Sequence, residues 1–162
     1  MIQDSGTRRE FETGAVRDIA EGKGRCDLLP LDIVSDVLYH DPIIFWIGRY
    51  VDTGDVDNIF RIFDIICHTD DFKIFPDTYT MIIEVSKHFE EGCNKYGERN
   101  WQKGIPTHCY VDSAIRHYLK FLRGDDDERH DRALVWNLVC LLWTITHKPE
   151  MNDLPFSNKE NI

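Results

Sequence analysis

The chain has 162 residues, 42% of them hydrophobic, and a formal net charge of −10. This length and apolar fraction predict one globular domain with a real core, whereas the acidic balance argues against binding to DNA or RNA polymers, which requires a positive surface that displaces counterions. The five scattered cysteines contain no CxxC pair, and no apolar run approaches the roughly 20 residues of a membrane span, so we expect a soluble protein with reduced thiols and no membrane partner.

The N-terminal arm, residues 1–27, is polar, rich in glycine and arginine and without helical periodicity, so we predict that it is irregular. Apolar residues at helical spacing predict six helices in the remainder, over 31–40, 42–51, 56–67, 77–96, 108–123 and 125–146. Asp41 followed by Pro42 is typical of an N-cap and a first helical position. No segment alternates convincingly as a strand. The sequence therefore predicts an all-α fold, a compact single-domain helical bundle over 28–147, followed by a polar tail over 148–162.

Polar groups lie at the margins of the apolar faces of the last three predicted helices. On the 77–96 helix, a projection at about 100° per residue gives an apolar stripe of Ile82, Val85, Phe89, Cys93 and Tyr96. Glu90 lies at the edge of that stripe and is expected to be partly buried, while Glu91 and Glu84 point to solvent. A partly buried carboxylate needs a cation or hydrogen-bond donors to offset its desolvation.

The next two helices repeat this arrangement. The polar residues at their core margins are Asp112 and His117 on the 108–123 helix, and His130 and Asn137 on the last helix. Each has a structural interpretation, as a satisfied half-buried histidine or a core hydrogen-bonding group. Together with Glu90, these residues fit two interpretations about equally well: one shared functional pocket, or a separate structural role for each residue.

Two further segments carry binding chemistry. In the arm, Arg17, Lys23 and Arg25 stand among glycines that let the backbone approach an oxyanion, although the spacing is not that of a Walker A motif and a solvated tail is the alternative that composition favours. In the loop after the 77–96 helix, Trp101 and Asn100 suit stacking on a nucleobase and hydrogen bonding to it. The alternative is that Trp101 anchors the loop to the core.

Two blocks of the chain, over 8–30 and 88–143, resemble the dATP/dGTP diphosphohydrolase N-terminal family, which is common in phages and in bacteria that carry prophages. The first block contains Phe11, Thr13-Gly14-Ala15, Arg17-Asp18, Gly22-Lys23-Gly24-Arg25, Asp27-Leu28 and Pro30. The second contains Glu90, Gly92, Lys95-Tyr96-Gly97, Asn100-Trp101, Lys103-Gly104, Asp112, Ala114, Arg116-His117, His130, Ala133 and Trp136-Asn137.

The resemblance implies an enzyme that hydrolyses a purine deoxynucleoside triphosphate to the monophosphate and pyrophosphate. Its logic is similar to that of the all-α MazG-like pyrophosphohydrolases, in which helical carboxylates hold the metal ion, here expected to be Mg²⁺ or Mn²⁺. This chain departs from those enzymes because it lacks their ExxE and ExxD signature. Some relatives also have a second histidine where this chain has Ala133.

These observations together predict a site. The metal ligands are expected to be Glu90, Asp112, His117 and His130, with Glu90, His117 and His130 acting in catalysis. The phosphates are expected to contact Arg17, Lys23, Arg25 and Arg116, and the base and sugar to contact Tyr96, Asn100, Trp101 and Asn137. On this hypothesis Glu90→Gln abolishes turnover.

Two other classes of function remain open at this point. The chain is alternatively a non-hydrolytic nucleotide-binding protein that sequesters a nucleotide immune signal in anti-defence, a reading favoured by a ligand set with few carboxylates for Mg²⁺. A third reading is a regulatory subunit that has lost its site. In each case we expect a small-molecule nucleotide as partner, a cytoplasmic location (that of the host cell if the gene is carried by a phage) and a homo-oligomer.

Overall fold

The computed structural model of the chain describes residues 4–157 and is mainly helical. Its regular elements are β1 (Arg8–Glu10), β2 (Val16–Asp18), α1 (Leu31–Val37), α2 (Pro42–Thr53), α3 (Asp57–His68), α4 (Thr78–Tyr96), α5 (Thr107–Arg123) and α6 (His130–His147). Short 3₁₀ turns occupy Cys26–Leu28, Asp70–Phe72, Asn100–Lys103 and Pro149–Met151. The predicted all-α class is confirmed. Within the described residues, no helix has both the length and the apolarity needed to cross a membrane.

The chain divides into two compact units. One comprises residues 28–83 and 153–157, in which α1 packs on α2 and α2 packs on α3. Its core is built from isoleucines at helical spacing, Ile43, Ile44 and Ile47 on α2 and Ile59, Ile62 and Ile66 on α3. The other unit comprises residues 4–27 and 84–152 and contains every residue that lines the cavity described below.

Helix α2 begins where the sequence predicts and ends two residues later than predicted, at Thr53. The Asp41 carboxylate accepts hydrogen bonds from the backbone N–H groups of Ile43 and Ile44, at 2.9 and 3.0 Å, and Pro42 takes the first helical position. Gly54 ends the helix in the left-handed region, with φ 71°. These local signals act within one turn of the chain, which is why the sequence reveals them.

In the second unit α5 packs on α6, and α6 is the central helix. Leu134, Leu138 and Leu141 are fully buried, and Ala133 and Val135 are buried on its other sides, so the helix is enclosed nearly all round as its apolar composition predicts. The polar side chains on its inner surface therefore face other protein groups rather than water.

The arm is more regular than predicted. Strands β1 and β2 pair antiparallel, with Arg8 opposite Asp18 and Glu10 opposite Val16. Gly14 makes the connecting turn at φ 81°, and its N–H donates to the Phe11 carbonyl at 2.8 Å. Strands of three residues are too short to show alternation in the sequence, so the expectation of an irregular arm was wrong here.

The sixth helix begins five residues later than predicted. Gly124 ends α5 in the left-handed region at φ 85°, and the acidic run 125–128 forms the loop that precedes α6. The carboxylates of that run bind side chains instead of capping a helix, since Asp125 pairs with Arg123 and Asp127 lies 3.3 Å from the Lys120 ammonium. No side chain caps the first turn of α6, so here these pairings with nearby cations take the place of the interaction with the helix dipole that the sequence indicated.

The buried face of α4 is also rotated from its predicted position. Val85 and His88 are buried, whereas Ile82 is 56% exposed and Glu90 is exposed. The expectation that Glu90 is partly buried was therefore wrong, and Glu91 is more buried than it. The projection failed because His88 counts as polar in a hydropathy pattern, which moved the apparent stripe around the helix.

Gly54 offers a test of the packing in the first unit. A Cβ added there would lie 2.6 Å from the Phe156 ring, in addition to the left-handed strain, whereas a Cβ at Gly124 would meet nothing within 4 Å at a similar φ. We expect Gly124→Ala to cost about 1 kcal/mol of unfolding free energy and Gly54→Ala about 1–3 kcal/mol more, because overpacking adds to the strain. Denaturant unfolding of both variants measures the difference, and equal costs would show that Phe156 moves aside freely.

Candidate functional site

A cavity of about 600 Å³ lies between the arm and helices α4, α5 and α6, all within the unit of residues 4–27 and 84–152. That volume is in the range of small-molecule sites. One part of its wall is aromatic, with Phe89, Trp101 and Trp136, and another part carries histidines and cations. Such a cavity suits a ligand with a flat apolar part and a charged part.

Two of the predicted histidines meet at this cavity. The Nδ1 atoms of His117 on α5 and His130 on α6 are 3.0 Å apart. The carboxylate of Glu128 lies 3.3 Å from His117 Nδ1 and 3.7 Å from His130 Nδ1. The three donors lie within 4.8 Å of one another, as the ligands of one metal ion do. We call His117, Glu128 and His130 the histidine cluster.

Asp127 orients one member of the cluster. Its Oδ1 lies 2.7 Å from His130 Nε2, on the side of the ring away from His117. A carboxylate at that distance holds the hydrogen on Nε2 and leaves the Nδ1 lone pair facing the cluster. Hydrogen bonding to His130 holds the pKa of Asp127 below its ordinary value, so Asp127 stays ionised.

His117 is neutral at physiological pH. Burial lowers its pKa well below 6.5, and the neighbouring His130 and His88 lower it further. A neutral imidazole has one nitrogen free to accept a hydrogen bond or bind a metal ion. The neutral ring of His117 can therefore take part in metal binding without first losing its charge.

Arg17 carries the arm into the interior of the unit. Its Nη2 donates to Ser113 Oγ and to Asn137 Oδ1, both at 3.1 Å. Its guanidinium also lies over the rings of Tyr110 and Trp136, with Cζ 5.4 and 5.7 Å from the ring centroids. Asn137, which the sequence requires to find partners, also donates to the Ala133 carbonyl at 2.8 Å.

Asp112 fixes the end of the arm. Its Oδ1 accepts a hydrogen bond from the Cys26 backbone N–H at 2.6 Å, and its Oδ2 accepts one from Arg116 Nη2. Arg116 continues to the carbonyls of Gly24 and Lys23, at 2.9 and 3.3 Å. Both oxygens of Asp112 thus have protein donors, and the structure does not place this residue in the histidine cluster, where the sequence predicted it.

The remaining arm cations lie at the cavity wall with carboxylate partners. Lys23 Nζ is 3.5 Å from Asp18 Oδ2, and Arg25 makes a two-pronged pair with Asp27 at 2.7 and 2.6 Å. The side chains of Lys23 and Arg25 are 42% and 51% exposed, so both can turn toward a ligand at little cost.

Two of the predicted base-binding residues have structural contacts. The Asn100 amide accepts from the Val16 N–H at 2.8 Å and donates to the Val16 carbonyl at 2.7 Å, as a neighbouring strand would. Trp101 packs edge-on against Phe89 and Trp143, with centroids 5.5 and 4.9 Å apart. Trp101 and Tyr96 still line the cavity.

The predicted site residues fall into two groups. The structure brings to the cavity wall Arg17, Lys23, Arg25, Tyr96, Asn100, Trp101, Asp112, Arg116, His117 and Asn137, and it places His130 against His117 behind that wall. Glu90 is exposed and is not among the described residues that line the cavity.

Sequence reasoning missed three residues, Glu128, Asp127 and His88. The two acidic residues were interpreted as a helix N-terminus, although their position just before His130 was the available signal. His88, on α4, is only 8% exposed and lies at the cavity, with its ring centroid 5.7 Å from that of Trp136. The helical spacing of Met81, Val85 and His88, which places all three on the same face of α4, was the signal that indicates its burial.

Comparisons with known proteins agree with part of this picture. Residues 72–154, about half of the chain, match the model of a family described as dATP/dGTP diphosphohydrolase, N-terminal. The matched region includes the histidine cluster, His88 and helices α5 and α6, and it leaves out the arm. No curated protein and no solved structure matches the chain.

The buried His88 predicts a dependence of stability on pH. Burial, with the positive charges of Arg132 and Arg17, lowers the pKa of His88 to about 4, against the opposing effect of Asp131. Because the unfolded chain binds this proton near pH 6.5, the stability is complete above pH 6.5 and is lost as the pH falls toward 4. We expect wild type to lose about 2 kcal/mol more unfolding free energy than His88→Phe between pH 7.5 and 5.0.

Urea unfolding followed by circular dichroism at the two pH values checks this difference. The His88→Phe variant keeps a ring of similar size next to Trp136, so each protein serves as its own reference at pH 7.5. Parallel losses in the two proteins would show that other groups set the pH dependence.

Proposed function

The chain belongs to the dATP/dGTP diphosphohydrolase N-terminal family, and from this membership we propose that it binds a purine deoxynucleoside triphosphate and hydrolyses it to the monophosphate and pyrophosphate. The observation that carries the proposal is the cavity, whose wall includes Glu128 and His117, with His130 behind it, and a half-buried arginine, Arg17. This combination provides for both the charge of a triphosphate and the activation of water.

The two ends of the cavity suit the two parts of the substrate. The triphosphate lies between the histidine cluster and the cations Arg17, Lys23, Arg25 and Arg116. There its oxygens take the place of the carboxylates that pair with the two exposed cations, Lys23 and Arg25. The purine lies along the aromatic wall of Tyr96 and Trp101, with Asn137 within reach of the sugar. Asn100 contributes by holding the arm at Val16.

A divalent cation fits the donor set of the histidine cluster. His117, Glu128 and His130 would hold it, with Asp127 fixing the ring of His130. Two imidazoles and one carboxylate favour Mn²⁺ or another transition ion over Mg²⁺, which prefers oxygen ligands. When bound, the ion supplies positive charge that stabilises the negative charge developing on the phosphate oxygens.

The residues of the chain do the remaining work. A water oxygen attacks the α-phosphorus, the bond from the α-phosphorus to the bridging oxygen breaks, and pyrophosphate leaves with the electron pair of that bond. A histidine or the carboxylate of the cluster orients the attacking water and accepts its proton. Arg17 neutralises charge on the phosphate, and Arg116 keeps the arm closed over it through Gly24.

Incubation of the purified protein with each dNTP and NTP, with Mg²⁺ or Mn²⁺, tests the function. We expect dGTP or dATP to give the monophosphate and pyrophosphate, faster with Mn²⁺, with products resolved by chromatography and no reaction in EDTA. Nucleotide that binds tightly and remains intact in all metals would contradict hydrolysis and support the sequestering function.

A nucleotide substrate and five free cysteines suit a cytoplasmic protein.

The role of the cluster is tested by a matched pair of glutamate variants. We expect Glu128→Gln to lower kcat by at least about 100-fold, because it removes the carboxylate that contacts both histidines. Glu90→Gln is the control, since Glu90 is exposed and lies outside the cavity wall. Its activity is expected to remain within about twofold of wild type. The opposite ranking would place the metal centre at Glu90.

A further inference from the structure

Three buried nitrogens on residues of the cavity wall have no hydrogen-bond partner within residues 4–157. They are Arg17 Nη1, His88 Nδ1 and Trp136 Nε1. All three residues line the cavity and belong to the same unit. Buried polar atoms are nearly always paired, and each unpaired one costs about 1–3 kcal/mol, so three in one place require an explanation.

His88 and Arg17 both lie next to the indole ring of Trp136. The ring centroid of His88 lies 5.7 Å from that of Trp136, and Arg17 Cζ lies 5.7 Å from the Trp136 ring. Two further aromatic rings lie close to the indole, those of Phe89 and Tyr110, with centroids 5.9 and 6.1 Å from that of Trp136. Hydrogen bonds formed here are strengthened by the low dielectric constant of their surroundings.

The chemistry of the three groups matches an acceptor. Guanidinium and indole N–H groups donate hydrogen bonds and cannot accept them, and a neutral imidazole with its hydrogen on Nδ1 is a third donor. Among the described residues, the hydrogen-bond partners of Arg17 are the neutral Ser113 and Asn137. A half-buried cation whose partners are neutral, and whose Nη1 is closed to solvent without a partner among the described residues, is best satisfied by a negatively charged oxygen.

We propose that Arg17, His88 and Trp136 form a binding subsite for a phosphate oxygen of the substrate. Ser113, which holds Arg17, lies one helical turn before His117 on α5, so the subsite is adjacent to the histidine cluster. His88 and Trp136 are thus phosphate-binding residues in addition to those the sequence indicates. The choice of ligand rests on the proposed function, whereas the binding itself does not require turnover.

The burial of His88 supports this assignment. Its pKa of about 4 keeps it neutral, so it adds no second positive charge beside Arg17, and in the tautomer with the hydrogen on Nδ1 it donates to the oxygen. The three atoms are closed to solvent, so binding of an oxygen requires a side-chain movement, and we expect the Arg17 guanidinium, whose two partners are neutral, to supply it.

Calorimetric titration with inorganic triphosphate and with 2′-deoxyguanosine, both in EDTA, separates the two halves of the cavity. We expect Trp136→Phe and His88→Phe each to weaken triphosphate binding about 10-fold or more, because each removes one donor to an anion while keeping a ring. Deoxyguanosine binding is expected to change less than about twofold. Trp143→Phe is the matched control, since Trp143 lies on α6 but is not among the described residues that line the cavity.

A second measurement does not depend on the folding of the variants. The indole N–H cross-peak of Trp136 in a ¹⁵N spectrum is expected to move downfield when triphosphate is added, while those of Trp46 and Trp143 stay in place. Unchanged triphosphate affinity in both variants, with a fixed Trp136 cross-peak, would overturn the subsite. Loss of deoxyguanosine binding alone would show that the three donors contact the base. Triphosphate binding without hydrolysis of any dNTP would refute only the proposed reaction.

Discussion

The partial burial of the Arg17 side chain, whose Nη1 is closed to solvent, is the constraint on which the site depends. A cation inside a protein must be surrounded by groups that offset its lost hydration, and here Ser113 on α5, Asn137 on α6 and two aromatic faces do so. Because those partners lie on different helices, the same contact holds the arm against both. The cavity exists because an arm of low intrinsic order is fixed there, with Asn100 and Asp112 adding hydrogen bonds on either side of Arg17.

The loop before α6 has a comparable effect on the histidines. Two imidazoles whose Nδ1 atoms lie 3.0 Å apart would repel each other if both carried a proton at those atoms. Asp127 holds the hydrogen of His130 on the opposite nitrogen, and Glu128 lies against both rings. The acidic run, which the sequence indicated as a helix N-terminus, therefore fixes the tautomer of His130 in a cluster that is suited to a metal ion.

The contrast between Glu90 and Glu128 shows why the sequence did not indicate which glutamate lies at the site. Glu90 stands in a long helix whose period is easily seen, and a rotation of that helix by a small angle leaves it exposed. Glu128 lies in a loop without periodicity, where the spacing of residues along the chain does not indicate in which direction a side chain points. His88 was overlooked for a related reason, because hydropathy patterns treat a buried neutral histidine as a surface residue.

The amino-acid sequence alone determines the all-α class, the six helices, the start of α2 at Asp41 and the inward positions of His117, His130 and Asn137. These features depend on neighbours within about one or two helical turns, so the chemistry that produces them is local. The pairing of Arg17 with Asn137, 120 residues away, and the meeting of Glu128 with His117 depend on how the helices pack. Such contacts arise from the rotation of each helix about its axis, and that rotation is set by the whole core and by no short segment.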